Sequence, residues 1–215
     1  MKPRRRIRGI EILHEDAAVI VVDKAEGVLS QGMDAYSVEA ALTDYVRKGQ
    51  RKSKKQVYLV HRLDRDTSGV MMVAKTPEVQ EYFRNDWNNL TRKTYRALVD
   101  GVLETDEGVC RGSLAEDPKT LSVRIVPDGE GRAALTEWRV LERYKHATLV
   151  EVYLKSGRKH QIRVHFAGMG FPIVGDLRYG RTRAKRLMLH SCRLEFLHPS
   201  THEWQAYESA TNDFP

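Results

Sequence analysis

Asp64 is the residue of this 215-residue chain whose setting most suggests chemistry. It stands in the string His61-Arg62-Leu63-Asp64-Arg65-Asp66-Thr67-Ser68-Gly69, between an apolar run at 57–60 and another at 70–74. A positive charge within about 4–6 Å lowers a carboxyl pKa by roughly 1–3 units, so an aspartate between two arginines is expected to stay ionised. An ionised carboxylate on a tight turn between two buried strands suits a nucleophile or a base. The bland alternative is that Asp64 caps the turn into Thr67-Ser68-Gly69.

Two further segments carry reactive or cationic side chains. Residues 92–101 place Tyr95 among Arg92, Lys93 and Arg96 at the start of an alternating strand. Residues 157–165 run Gly-Arg-Lys-His-Gln-Ile-Arg-Val-His, a cationic lead into a helix. Arg163 follows Ile162, which should face the core, so Arg163 is expected at the edge of the buried face. From there its fork could reach a carboxylate. Taken singly, Tyr95 reads as packing and Arg163 as a solvent-facing charge.

Other chemistries find no support. The chain has no G-x-x-x-x-G-K-[ST] and no G-x-G-x-x-G after its first strand. The His-Arg-Leu-Asp string lacks the asparagine and the Asp-Phe-Gly that a kinase would need. His160 and His165 are five apart, and His198 and His202 flank a Pro-Ser-Thr turn, so a surface or hydrogen-bonded role is expected for each, and no metal.

The elements that must position these residues follow from periodicity. Short strands are expected at 11–13 and 19–22 around the turn His14-Glu15-Asp16. Val38, Ala41, Leu42, Tyr45 and Val46 recur at helical spacing, and Gly49 ends that helix. Strands at 57–60 and 70–74 flank the acidic turn. Thr76-Pro77 opens a helix with proline at its first position and the stripe Val79, Phe83, Trp87. Tyr95, Ala97 and Val99 alternate as in a strand, and further strands are expected at 121–126, 133–142, 147–154, 186–196 and 203–208. A late helix over 160–169 puts Ile162, Phe166 and Met169 on one face, with Gly168, Gly170 and Pro172 ending it. The order predicts a single-domain α+β fold: a mixed, mostly antiparallel central sheet flanked by helices and loops.

Bulk properties narrow the partners. With 41% hydrophobic and 30% charged residues, the chain is expected to be globular. Its net charge of +7 is uneven. Lys2, Arg4, Arg5, Arg6 and Arg8 form an N-terminal arm (1–9) ahead of a domain at 10–215. Arg47, Lys48, Arg51, Lys52, Lys54 and Lys55 form a second run, and Arg181, Arg183, Lys185 and Arg186 a third. Three such runs favour a polyanion, since each phosphate contact releases counterions. Cys110 and Cys192 are the only cysteines and no apolar stretch nears the roughly 20 residues of a bilayer span, so a cytoplasmic protein with no membrane contact is expected.

Together the three segments resemble the signature motifs of the RluA-type pseudouridine synthases. The likeness continues through Gly175-Asp176-Leu177-Arg178-Tyr179-Gly180 and Arg186-Leu187-Met188-Leu189-His190-Ser191, and spans roughly residues 10 to 208. It implies the pseudouridine synthase catalytic fold and an isomerase that converts uridine in structured ribosomal or transfer RNA to pseudouridine, without cofactor or metal. Residue by residue, it implies that Asp64 acts at the glycosidic carbon of the target uridine and that Arg62 helps extrude the nucleotide. Tyr95 would stack on uracil or take its C5 proton, Arg163 would pair with Asp64, and Leu189 would line the base pocket. His61 and Arg65 are the remaining substrate-binding candidates. The short arm makes the chain similar to members without an S4-type domain, and a monomer with no obligate protein partner is expected.

Two rivals belong to other classes. An RNA chaperone that kept the fold and lost catalysis would not need a buried, paired aspartate. A carboxylate glycosidase acting on free nucleosides would not need three basic runs.

Overall fold

The computed structural model describes residues 6–7, 9–32, 36–50, 52–210 and 214. Most of the basic N-terminal arm (Lys2, Arg4, Arg5, Arg8) and Arg51 lie outside them. The α+β class holds with a mixed sheet, and the strand pairs described below within each unit are antiparallel. The chain packs as two compact units, Met1–Thr91 with Ser191–Ala210, and Arg92–His190 with Thr211–Pro215.

In the first unit β1 (Arg6–Ile7), β2 (Ile10–Glu15), β3 (Val19–Lys24) and β5 (Ser68–Ala74) pair in that order, and β4 (Tyr58–Leu59) also pairs with β5. The part of β11 (Leu189–Leu197) that belongs here pairs with β12 (Trp204–Glu208). Val19, Ile20, Val21 and Val22 are fully buried, as is the stretch from Val70 to Ala74. Continuous apolar runs of this kind have surface on both faces to bury.

Helix α1 (Val38–Arg47) is capped by Ser37, whose Oγ accepts from Ala40 N at 3.0 Å. It ends two residues before the expected glycine, with the cap Lys48 itself left-handed at φ 52°. Helix α2 (Pro77–Leu90) starts at the Thr76 cap with proline in its first turn. Its stripe packs as the spacing predicts: Phe83 is fully buried among Val19, Val21, Val70, Met72, Leu194 and Phe196, with Val79 and Trp87 against the same cluster. Burying one phenylalanine of this kind is worth about 1.5–3 kcal/mol.

In the second unit the order is β6 (Thr91–Asp100), β10 (Ala147–Leu154), β9 (Arg132–Arg143), β7 (Glu107–Glu116), β8 (Val123–Val126). Strand β7 is absent from the periodicity reading. Its sequence, Glu-Gly-Val-Cys-Arg-Gly-Ser-Leu-Ala-Glu, is too rich in small residues to signal a strand. The smallness is demanded across the sheet: a Cβ on Gly108 would sit 2.4 Å from the Trp138 ring. Strand β8 starts later than expected because Leu121 takes φ 55°.

Helix α3 (Gln161–Gly168) differs more from expectation. Every residue from Gln161 to Phe166 is buried. It is not an amphipathic surface helix, and Arg163, placed by the sequence at the edge of the buried face, is only 6% exposed. Val164 packs on Leu114, Val123 and Ala134, so the strands of this unit cover the side that spacing assigned to water.

Candidate active site

The acidic turn of the first unit is built from backbone anchors. Ser30 Oγ donates to the carbonyl of Leu63 at 2.7 Å and accepts from its N–H at 3.0 Å, satisfying both polar groups of a buried residue. The carbonyl of Arg65 accepts from Lys24 Nζ at 3.1 Å and from Gly27 N at 2.8 Å. Lys24 is itself fully buried and also donates to the carbonyls of Ala25 and Val28. His61 Nε2 accepts from Met72 N at 3.0 Å, which fixes the proton on Nδ1 if the ring is neutral, and its ring packs on Trp87 at 4.8 Å. Gly69 closes the turn at φ 113°, where a Cβ would lie 2.2 Å from the carbonyl oxygen of Ser191. No other residue fits there.

Asp64 lies half-buried on this frame, and its carbonyl accepts from Thr67 N at 3.1 Å. The flanking arginines are both exposed and turned to other partners. Arg62 Nη1 donates to Gln31 Oε1 at 3.2 Å, and Arg65 Nε stands 3.6 Å from Asp66 Oδ1. Neighbours in sequence are therefore engaged by Gln31 and Asp66. Lys24 and Ser30, which hold the turn, were not singled out from the sequence; a lysine at the end of an apolar strand was the available signal for Lys24.

In the second unit Tyr95 is buried on β6, opposite Val152, and shares its face with Lys93, Ala97 and Val99. Lys93 is 6% exposed, and burial pushes its ammonium pKa down to about 8. Leu189 is buried at the start of β11.

Arg163 makes a bidentate pair with Asp176: Nε donates to Oδ2 at 2.8 Å and Nη2 to Oδ1 at 2.9 Å. Its guanidinium also lies 5.2 Å from the centre of the Tyr179 ring. Asp176 Oδ1 further accepts from the N–H groups of Arg178 at 2.9 Å and Tyr179 at 3.0 Å. Burial raises the Asp176 carboxyl, but the hydrogen bonds and charge of Arg163, helped by those N–H groups, outweigh it and hold the carboxyl below its ordinary range. The sequence reading quoted Asp176 within a motif and gave it no role; a partner thirteen residues away leaves no periodic trace.

Polar groups on β9 hold the same helix. Gln161 Nε2 donates to Thr136 Oγ1 at 2.9 Å, and His165 Nδ1 lies 2.9 Å from the same hydroxyl. Burial lowers the His165 pKa and keeps its imidazole neutral at pH 7. Among the described residues there is no group of three His, Cys, Asp or Glu side chains placed to hold a metal. No helix among them is long and apolar enough to cross a membrane.

Comparison with known proteins gives a consistent picture. A family profile described as RNA pseudouridylate synthase matches residues 18–168. The dual-specificity RNA pseudouridine synthase RluA of Vibrio cholerae is 36% identical over 202 residues, covering 90% of this chain and 79% of that protein. Ribosomal large subunit pseudouridine synthase D of Nitrosomonas europaea is 34% identical over 217 residues, covering 95% of this chain and 62% of that one. Among solved structures, human RNA pseudouridylate synthase domain containing 1 has a similar fold, with a TM-score of 0.76 and 24% identity over 98% of this chain and 86% of that one.

Proposed function

The chain belongs to the RNA pseudouridylate synthase family, an isomerase family, and from that premise we propose that it isomerises uridine in structured ribosomal or transfer RNA with Asp64 as the reacting carboxylate. The observation that carries the assignment is the turn itself. A half-buried aspartate is held on a backbone whose flanking residues are fixed by Ser30 and Lys24, while both adjacent arginines stay at the surface. A rigid frame under a reactive group lowers the cost of positioning it for reaction.

The reaction breaks the bond between N1 of uracil and C1′ of ribose, joins C5 to C1′, releases the C5 proton and leaves N1 protonated. Reactant and product have the same composition, so no redox partner or energy source is needed. In this reading Asp64 acts at C1′, Tyr95 stacks on the uracil or receives the C5 proton, Arg163 serves as the ion-pair partner of Asp64, and Leu189 lines the base pocket. Arg62, exposed beside Asp64, is assigned to extruding the nucleotide, with His61 and Arg65 as neighbouring RNA contacts. Extrusion costs a few kcal/mol, which stacking and phosphate contacts can offset. The exposed Arg181, Arg183 and Lys185 are the proposed phosphate contacts and Arg47–Lys55 a second set. The reading treats residues 10–215 as one catalytic domain, since the family match runs through both units, and places it in the cytoplasm with those RNAs.

RNA carrying tritium at uridine C5 tests it. The protein should release tritium to water, and Asp64→Asn should bind the same RNA with unchanged affinity and release none. Release by Asp64→Asn at the wild-type rate would remove Asp64 from the chemistry.

A further inference from the structure

The buried carboxylate on Arg163 has no part in the reaction as written, and the structure surrounds it with unusual care. Five contacts meet around the Arg163–Asp176 pair: two hydrogen bonds from Arg163 to Asp176, two backbone N–H donors to Asp176, and the Tyr179 ring beside Arg163. Tyr179 is fixed in turn, its hydroxyl accepting from Val123 N at 2.8 Å and lying 2.7 Å from His160 Nδ1. His160 is the residue before α3 and adopts φ 53°, so the brace begins one residue ahead of the helix that bears Arg163. On the helix's own side, Gln161 and His165 share Thr136 Oγ1 of β9. Burying such a pair for stability alone is inefficient, because well-packed apolar residues often do as well or better. What a bidentate pair does supply is geometry: it fixes the plane of the guanidinium and the rotation of the whole side chain.

We propose that Asp176 is a positioning residue for the isomerisation: its carboxylate holds the Arg163 guanidinium in the single orientation in which Arg163 serves the reacting aspartate. The inference rests on the functional reading above. Asp176 touches neither RNA nor the reacting atoms in this scheme and acts only through Arg163. Loss of the pair should therefore slow the chemical step and leave RNA affinity in place. A misplacement of about 1 Å at such a group costs about 10²-fold in rate.

The test is single-turnover tritium release at saturating enzyme, with RNA affinity and thermal unfolding measured on the same samples. Asp176→Asn, which keeps an oxygen for the N–H groups of Arg178 and Tyr179, should lose about 10²-fold in rate with its RNA affinity within about twofold of wild type. Should it prove too unstable to assay, Asp176→Glu carries the same test, because it keeps the charge and displaces it by one methylene. Arg163→Lys, which keeps charge but loses the fork, should be impaired similarly, and the double variant should be no slower than the worse single one. A rate for the Asp176 variant within threefold of wild type, or single effects that multiply in the double variant, would overturn the inference. No tritium release by the wild-type protein from any cellular RNA would instead fail the functional reading, and this inference with it.

Discussion

Arg62 and Arg65 sit at the surface of the first unit and Arg163 is buried in the second, and the contrast shows how differently one side chain is used. The surface pair keeps single, water-exposed contacts to Gln31 and Asp66. Arg163 gives two hydrogen bonds to one carboxylate whose side chain is fully buried. An exposed guanidinium can leave its partner cheaply and meet a phosphate. A buried one has no such alternative, since separating it from its carboxylate strands two charges in a low-dielectric interior. The first arrangement suits contact with a mobile polyanion, the second suits holding a reactive centre.

The largest effect expected from breaking this contrast is at Arg163. Arg163→Leu leaves Asp176 as an uncompensated buried charge and should destabilise the protein by about 3–5 kcal/mol in chemical denaturation. Because the Asp176 carboxyl is held below its ordinary value in the folded protein, the wild-type pair stabilises at neutral pH and loses that contribution as pH falls into the acid range. The Arg163→Leu penalty should shrink along the same limb.

Lys93 sharpens the comparison, as a second buried cation in the same unit. Its pKa falls from an ordinary 10.5 to about 8, which corresponds to about 3 kcal/mol of burial penalty on the charged form. Below pH 8 the folded protein bears that penalty in full. Between pH 8 and 10.5 the unfolded chain alone keeps the proton, so wild-type stability rises with pH. Lys93→Met should therefore lack this rise, so its stability relative to wild type should fall between pH 7 and pH 10.5 by an amount of that order. Denaturation midpoints at pH 7 and pH 10.5 check it, and an equal change in both proteins would contradict it.

Smaller effects are expected on the acidic turn. Ser30→Ala removes the hydroxyl that serves both polar groups of Leu63 and should cost about 1–3 kcal/mol, with tritium release falling more than RNA affinity. Arg65→Ala should change stability by less than about 1 kcal/mol, because its ion pair with Asp66 is solvent-exposed. If that substitution instead costs as much as Arg163→Leu, the division between surface and buried arginines is wrong.

Much of the architecture is legible in the chain because it rests on local signals. The Thr76 cap followed by proline, the stripe Val79, Phe83, Trp87, and the alternation about Tyr95 each occupy a few consecutive turns or residues, and each appears where the pattern puts it. Strand β7 escaped the pattern because Gly108 answers to Trp138 on another strand. Helix α3 misled for a related reason: Arg163, expected at the edge of the buried face, is held inside by Asp176, and Gln161 and His165 are buried against Thr136 of another element.

The sequence by itself determined the family and the α+β class and put Asp64 forward as the candidate carboxylate, because the nine-residue run His61–Gly69 that carries it is both local and specific. Only the tertiary structure decided which groups the charges meet. Arg65 faces Asp66, Arg163 faces Asp176, and Lys24 holds the carbonyl of a residue 41 positions away. Charge pairing depends on distance through space and on how much water is excluded, and neither quantity is written along the chain.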